Sequence, residues 1–257
     1  MLYLIGIGLK PDHLTSEAIA AAGVCDEIYL EYYTSRLAES DLADLQQKLK
    51  CKKKIVPLSR EDVEGGISDL VLESRPRNVG ILVIGNPLIA TTHIEFLLEA
   101  KNQNAAIRII PGISVYDLVP VCGLDAYKFG RVSTVVFQEK DYSPESFFDF
   151  ISGNHDNGLH SLCLLDIRAE IEQLMTINQA LEILEKIAEK KKQIWFSKSI
   201  IVGLSGLSHA NQKIMVGTPA ELREEKFELF PQSLIVCGKL NGKEKEALQK
   251  LHGWKEE

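Results

Sequence analysis

Three stretches of this chain carry residue types that can bind or react. Ile5-Gly6-Ile7-Gly8-Leu9-Lys10-Pro11 sets two glycines one residue apart after an apolar run. A dinucleotide fingerprint needs a third glycine opening a helix onto a pyrophosphate. Pro11 holds that place, and the next helix signal waits until Thr15. NAD or FAD binding therefore lacks its anchor, and the glycine pair reads equally well as a structural turn. Gly85-Asn86-Pro87-Leu88-Ile89-Ala90-Thr91-Thr92-His93 follows the apolar run ILVI and precedes a helical pattern. Ligands of open α/β sheets bind at the carboxyl ends of strands. There, a turn through Asn-Pro exposes backbone groups able to hold an adenosine or methionine moiety. The competing reading is a strand-to-helix turn capped by Thr91 or Thr92. The third stretch, Leu165-Asp166-Ile167-Arg168, ends another apolar run in charge, a pattern equally suited to strand-end residues facing water.

Other chemistries find no support. His93 has no second histidine or carboxylate at metal-ligand spacing, and the remaining five histidines are scattered, so a hydrogen-bonded structural histidine is the expectation and no metal site is assigned. There is no Gly-x-Ser-x-Gly elbow and no P-loop. The five cysteines (Cys25, Cys51, Cys122, Cys163 and Cys237) form no CxxC pair, which argues against a zinc site or disulfide framework and fits a reducing compartment.

The elements that must position these residues alternate along the whole chain. Strands are expected at 2–5, 27–30, 54–57, 81–84 and 107–110, then at 133–137, 161–165, 199–203, 215–217 and 233–237. Several are continuous β-branched or leucine runs, as in strands covered on both faces. Between them lie helix starts: Thr15 or Ser16 before an alanine-rich stretch that Gly23 would end, Thr176 with Gln179, and Thr218-Pro219 with Glu221. The cluster Pro111, Gly112, Pro120, Gly123 and Gly130 surrounds one short helical pattern. The expected fold is two α/β domains, residues 1–112 with a mostly parallel sheet and 125–257 with a mixed sheet, joined by a linker helix region at 113–124.

The 257 residues carry a net charge of −7, with 45% apolar and 25% charged residues. That balance suits a globular protein and opposes nonspecific nucleic-acid binding, which needs a basic footprint. The basic runs 50–54 and 190–192 are placed where helices should end, which favours positive charge. No apolar run approaches the roughly 20 residues of a membrane span, and the N-terminus lacks a basic n-region, so a cytoplasmic protein without membrane partners is expected.

The strings GIGLKPDHLTSEAI, CDEIYLEYYTS, PLSREDVE, GNPLIATTH, YKFGRVSTVVF and LLDIRAE resemble, in order and over nearly the whole chain, those of diphthine synthases, class III methyltransferases of the tetrapyrrole methylase-like superfamily. The resemblance implies a homodimer of two-domain subunits with S-adenosyl-L-methionine held in the cleft between domains and released as S-adenosyl-L-homocysteine. It also implies repeated methylation of the amino group of a 3-amino-3-carboxypropyl-histidine on translation elongation factor 2, to the trimethylammonium in the archaeal type. Carried over by position, the cofactor contacts are Leu9, Asn86, Ile89, Ser114, Val115, Leu165, Leu207 and Gln232. The family usually has aspartate where this chain has Asn86, and the GISVYDLV string is a second departure. Asp166 and Tyr127 are the candidates for orienting the amine. Two alternatives stand beside this reading: a methylase of a small tetrapyrrole-like substrate, for which an acidic chain without an arginine cluster is ill suited, and a non-catalytic relative binding a protein through the same cleft.

Overall fold

Residues 2–6, Leu-Tyr-Leu-Ile-Gly, have no side fit to face water, and each of them is buried. The computed structural model describes all residues except 34–36, 38, 50–52, 169–170 and 257. Two units are distinguished, the body of the first being Met1–Leu118 and that of the second Val119–Arg168 with Glu172–Glu257.

The first unit contains β1 (Leu2–Gly6), β2 (Glu27–Glu31), β3 (Ile55–Leu58), β4 (Val79–Val83) and β5 (Ile107–Ile110). They pair in parallel, in the order β3-β2-β4-β1-β5. The intervening helices are α1 (Ser16–Val24), α2 (Glu39–Lys48), α3 (Arg60–Glu64), α4 (Ile67–Glu73) and α5 (Ile94–Asn102), followed by the one-turn α6 (Val115–Leu118). Tyr3 and Ile5 pack in a cluster with Ala18, Ala21 and Ala22 of α1. Leu2, Leu4, Val79, Ile81 and Val83 pack in another with Phe96 and Ala100 of α5. Successive strand residues point to opposite faces, so α1 and α5 cover opposite faces of the sheet. The chain therefore leaves the neighbouring strands β1 and β4 in opposite directions and opens a crevice at their carboxyl ends.

The second unit holds β6 (Ser133–Val135), β7 (Ser161–Leu165), β10 (Ile201–Ser205), β11 (Lys213–Gly217) and β12 (Gln232–Val236). Their order is β11-β10-β12-β7-β6, antiparallel except for β6 with β7. The helices are α7 (Ser146–Asp156), α8 (Ile177–Lys190), α9 (Pro219–Arg223) and α10 (Gly242–His252), and the core joins Phe147 and Phe148 to Leu181, Leu184 and Phe196.

The α/β reading holds, with a parallel and a mixed sheet, and every expected strand is present within a few residues. A small ladder, β8 (Ile167–Arg168) with β9 (Gln173–Leu174), escaped notice because two-residue strands leave no periodic signal. The expected capping boxes form at Thr176 with Gln179 and at Thr218 with Glu221, and two more form at Ser59 with Asp62 and at Asn241 with Glu244. Thr15 caps α1 as expected, but the helix continues past Gly23 to Val24. A Cβ at Gly23 would touch nothing, and its φ is not positive, so this glycine makes no left-handed stop. The run 190–192 does sit at the end of α8, with Lys191 as C-cap; residues 50–52 lie outside the described residues. Cys25, Cys122, Cys163 and Cys237 are buried thiols outside any disulfide. Burial pushes Cys163 up to about 12 and Cys122 up to about 11, so neither is primed as a thiolate. Cys51 lies outside the described residues.

Candidate active site

Three loops converge at the carboxyl ends of β1, β4 and β5. Gly8 and Gly85 form an isolated antiparallel bridge, with Gly85 N–H donating to Gly8 O at 2.9 Å and Gly8 N–H to Gly85 O at 3.2 Å. Both glycines have left-handed φ, +73° and +84°, a conformation that costs an L side chain strain. Gly112 lies against them: a Cβ on Gly6 would stand 2.5 Å from Gly112 N and 2.8 Å from Gly85 O. Only backbone without side chains allows the three loops to approach so closely.

Within the first unit the sequence-predicted cofactor contacts lie around this junction. Leu9 is buried, and its N–H donates to His13 Nδ1 at 3.2 Å. Asn86 uses both ends of its side chain: Nδ2 donates to Gly112 O at 3.3 Å, and Oδ1 accepts from Leu88 N–H at 3.1 Å. Half-buried Ile89 donates its N–H to Asn86 O at 3.2 Å. Ser114 is buried and fixed by Asp117, whose carboxylate accepts from both the Ser114 N–H (2.7 Å) and hydroxyl (2.8 Å). Val115 begins α6 beside it. A Cβ at Gly85 would find only Leu9 Cδ2 at 3.8 Å and Ser114 Cα at 3.9 Å. The space before Gly85 thus lies between two predicted contacts and is walled by apolar groups and neutral dipoles. Such a surface fits the apolar and polar parts of an adenosyl sulfonium. Among the described residues no group of three His, Cys, Asp or Glu side chains could hold a metal ion.

In the second unit, β7 and β10 both run antiparallel to β12, so Leu165, the loop carrying Leu207, and Gln232 share one edge of the sheet. Leu207 is buried. The Gln232 amide is engaged internally, accepting from Ile177 N–H at 2.9 Å and donating to Phe227 O at 2.8 Å, so its backbone is what remains for a ligand. Asp166 follows Leu165; its carboxylate accepts from Phe137 N–H at 3.1 Å and lies 3.7 Å from the Arg168 guanidinium. Tyr127 is elsewhere. It is 96% exposed, two residues before Phe129, which pairs with His160 just ahead of β7. Asp166 lies six residues further along that strand, about 20 Å at 3.3 Å per residue. Within one chain the two candidates for orienting the amine are therefore not brought together.

The Tetrapyrrole (Corrin/Porphyrin) Methylases family model matches residues 1–223. The chain is 34% identical over 253 residues to a diphthine synthase of Methanococcus aeolicus, covering 98% of each sequence. It is 33% identical to a diphthine methyl ester synthase of Dictyostelium discoideum, covering 96% of each. A crystal structure of diphthine synthase superposes with a TM-score of 0.87 at 27% identity, over 98% of this chain and 96% of that one. The chain belongs to the diphthine synthase branch of the tetrapyrrole methylases. It is a methyltransferase, and the crevice holding Leu9, Asn86 and Ser114 is its candidate active site.

One part of this methylase was only half read from sequence. His93 is buried and hydrogen-bonded, as expected of a structural histidine, and it holds the N-cap position of α5 that the capping alternative gave to Thr91 or Thr92. Thr91 instead donates its hydroxyl to Pro87 O at 2.6 Å. The His93 ring is 1% exposed, with Nδ1 3.1 Å from Pro87 O. Glu31, at the end of β2, is fully buried and accepts from Tyr33 N–H at 2.8 Å. Burial lowers the pKa of His93, while the charge of Glu31 and the Pro87 carbonyl pull it upward. The signal available in sequence was an ionisable residue inside a strand, at the end of EIYLE.

Proposed function

We propose that the chain transfers methyl groups repeatedly from S-adenosylmethionine to the amino group of a 3-amino-3-carboxypropyl-histidine on translation elongation factor 2, within diphthamide biosynthesis. The observation that carries this reading is the convergence of Leu9, Asn86, Ile89 and Ser114 on one crevice in a diphthine synthase relative. When bound, S-adenosylmethionine supplies an electrophilic methyl group on a sulfonium. The first-unit residues would hold it through backbone and apolar contacts. The Gly8–Gly85 bridge and the close approach of Gly112 tie the loops together, and holding a nucleophile near 3–3.5 Å from the methyl carbon in alignment lowers an in-line displacement barrier. Asp166 remains a candidate for orienting the amine.

The same reading makes the protein a cytosolic homodimer whose partner is a folded protein. No helix among the described residues is long and apolar enough to cross a membrane. The test is mass spectrometry of elongation factor 2 carrying the aminocarboxypropyl-histidine after incubation with this protein and S-adenosylmethionine. Mass gains in steps of one methyl, absent when that histidine is replaced, are expected. No gain, with cofactor binding demonstrated by calorimetry, overturns the assigned substrate in favour of a small-molecule acceptor. Absence of binding overturns the enzymatic reading.

A further inference from the structure

The hydroxyl of Ser114 has its hydrogen spent inside the protein and its lone pairs left over. Oγ donates to the Asp117 carboxylate at 2.8 Å, and the Ser114 N–H donates to the same oxygen at 2.7 Å. A carboxylate only accepts, so the direction of the first bond is fixed. The hydroxyls of Ser59, Thr176 and Thr218, which enter helices the same way, each also accept the N–H three residues on, at 3.1, 3.2 and 3.3 Å. At Ser114 that amide, the Asp117 N–H, goes to the Ser114 carbonyl instead, at 3.2 Å. Among the described residues no donor reaches Oγ, although Ser114 is only 3% exposed, a setting in which polar groups normally find partners. We infer that Asp117 is a positioning residue that makes Ser114 an acceptor for the α-ammonium of S-adenosylmethionine. The inference rests on the reading of the crevice as the cofactor site and is independent of the methyl acceptor.

The pair belongs to the crevice. Gly112, two residues before Ser114, packs against Gly6 and Gly85, and its carbonyl accepts from Asn86 Nδ2 at 3.3 Å. Ser114 Cα lies 3.9 Å from the point where a Cβ on Gly85 would stand, and Leu9 Cδ2 lies 3.8 Å from the same point. Asp117 itself is exposed, so it acts on the crevice through Ser114. Its neighbours on α6, Val115, Tyr116 and Leu118, carry no cation, and among the described residues no lysine or arginine pairs with its carboxylate.

The polarity of Ser114 selects the group it can meet. A carboxylate or ring nitrogen of the ligand would set lone pair against lone pair, so the partner must be an N–H or O–H donor. S-adenosylmethionine offers its α-ammonium, its adenine amine and its ribose hydroxyls. Among these the cation gains most, because hydrogen bonds with an ionised member are roughly twice as strong as neutral ones. A hydroxyl whose hydrogen lies on a carboxylate also presents a more negative oxygen. Asn86, with both amide ends committed to Gly112 O and Leu88 N–H, brings no charge here, whereas Asp117 supplies it from behind Ser114. The ammonium is unchanged by methyl transfer. Its contact is therefore equal in the bound and transition states, and it sets affinity without altering the barrier from the bound state.

The experiment titrates the unaltered protein, Ser114→Ala, Asp117→Ala and Asp117→Asn by calorimetry with three probes. They are S-adenosylhomocysteine, its deaminated analogue without the α-ammonium, and S-inosylhomocysteine, in which a carbonyl replaces the adenine amine. The unaltered protein is expected to bind the deaminated analogue about 10-fold or more weakly than S-adenosylhomocysteine, the size of a hydrogen bond to a charged group. Ser114→Ala should lose a similar factor on S-adenosylhomocysteine, but less than about twofold on the deaminated analogue, where the contact is already gone. Asp117→Ala should follow the same pattern. Asp117→Asn, which keeps an acceptor oxygen for both Ser114 bonds, should recover part of what Asp117→Ala loses. A loop that was merely loosened would weaken all probes by one factor, and that outcome overturns the inference. So does an Asp117→Asn protein no better than Asp117→Ala, or a coupling to Ser114 that appears with the adenine amine in place of the ammonium. Failure of the unaltered protein to bind S-adenosylmethionine or S-adenosylhomocysteine at all overturns the cofactor reading itself.

Discussion

Replacing Gly6 by alanine tests whether the approach of three backbones makes the site. The new Cβ would stand 2.5 Å from Gly112 N, 2.8 Å from Gly112 Cα and 2.8 Å from Gly85 O. All three are backbone atoms, so no side chain can swing aside. Restoring ordinary contact at 3.4 Å requires the loops after β4 and β5 to move outward by about 0.6–0.9 Å, against close packing that resists such motion. Overpacking of this kind costs about 1–3 kcal/mol, or roughly 2–12 °C in Tm for a chain of this size. The displaced loops carry Asn86, Ile89, Ser114 and Val115, and misplacement near 1 Å costs on the order of 100-fold in a positioned reaction. Calorimetric titration with S-adenosylmethionine and a melting curve of the same sample are the assays. Affinity within twofold of the unaltered protein, with Tm unchanged, would refute the idea that these glycines set the site.

Two further substitutions separate other forces. Asn86→Asp removes the donor to Gly112 O and sets a carboxylate oxygen near 3.3 Å from that carbonyl. Losing a paired, part-buried contact costs about 1–3 kcal/mol, whereas a half-exposed charge returns about 0–1 kcal/mol, so calorimetry should show weaker S-adenosylmethionine binding; a tighter complex would contradict this balance. In the second unit, burial alone would raise the Glu244 carboxyl, but Lys128, the Asn241 amide, His160 and the Asp125 amide together hold it down to about 2. Glu244→Ala should therefore cost about 3–5 kcal/mol, as expected for breaking a buried ion pair. Both tryptophans, Trp195 and Trp254, lie in this unit, so their fluorescence during urea unfolding reads it directly. Because the folded carboxyl is depressed, its contribution is complete above about pH 4.5 and is lost as pH falls towards 2. His160, lowered by burial, adds a loss that begins below about pH 6.5. Glu244→Ala should flatten the lower part of that pH dependence, and an unchanged acid profile would count against the network.

Much of the fold was legible because burial on both faces leaves strands that are apolar throughout. Strands such as β1 and β4, buried throughout, announced themselves in this way, whereas β5 with Arg108 and β6 (Ser-Thr-Val) carry polar positions; the capping boxes at Thr176 and Thr218 were readable because their partners lie three residues away. What stayed hidden depends on distant pairings. The identity of the α5 cap was obscured because Thr91 bonds backward to Pro87 O, leaving His93 at the helix entry. The separation of Tyr127 from Asp166 follows from the register of Phe129 against His160, which no local pattern encodes. Nor could sequence show that Gly6 and Gly112, over a hundred residues apart, touch.

The neutral residue at 86, where the family usually has aspartate, acquires a physical meaning once its bonds are known. With both ends of its amide committed to Gly112 O and Leu88 N–H, Asn86 acts as a tie between two loops and brings no charge to the ligand. Methyl transfer to a neutral amine moves positive charge from sulfur to nitrogen. A carboxylate beside the sulfur would favour the reactants more than the transition state, in which that charge is already leaving, and so would raise the barrier from the bound state. A neutral residue 86 thus keeps the tie between the two loops intact and adds no charge that would deepen the bound state from which the transfer starts.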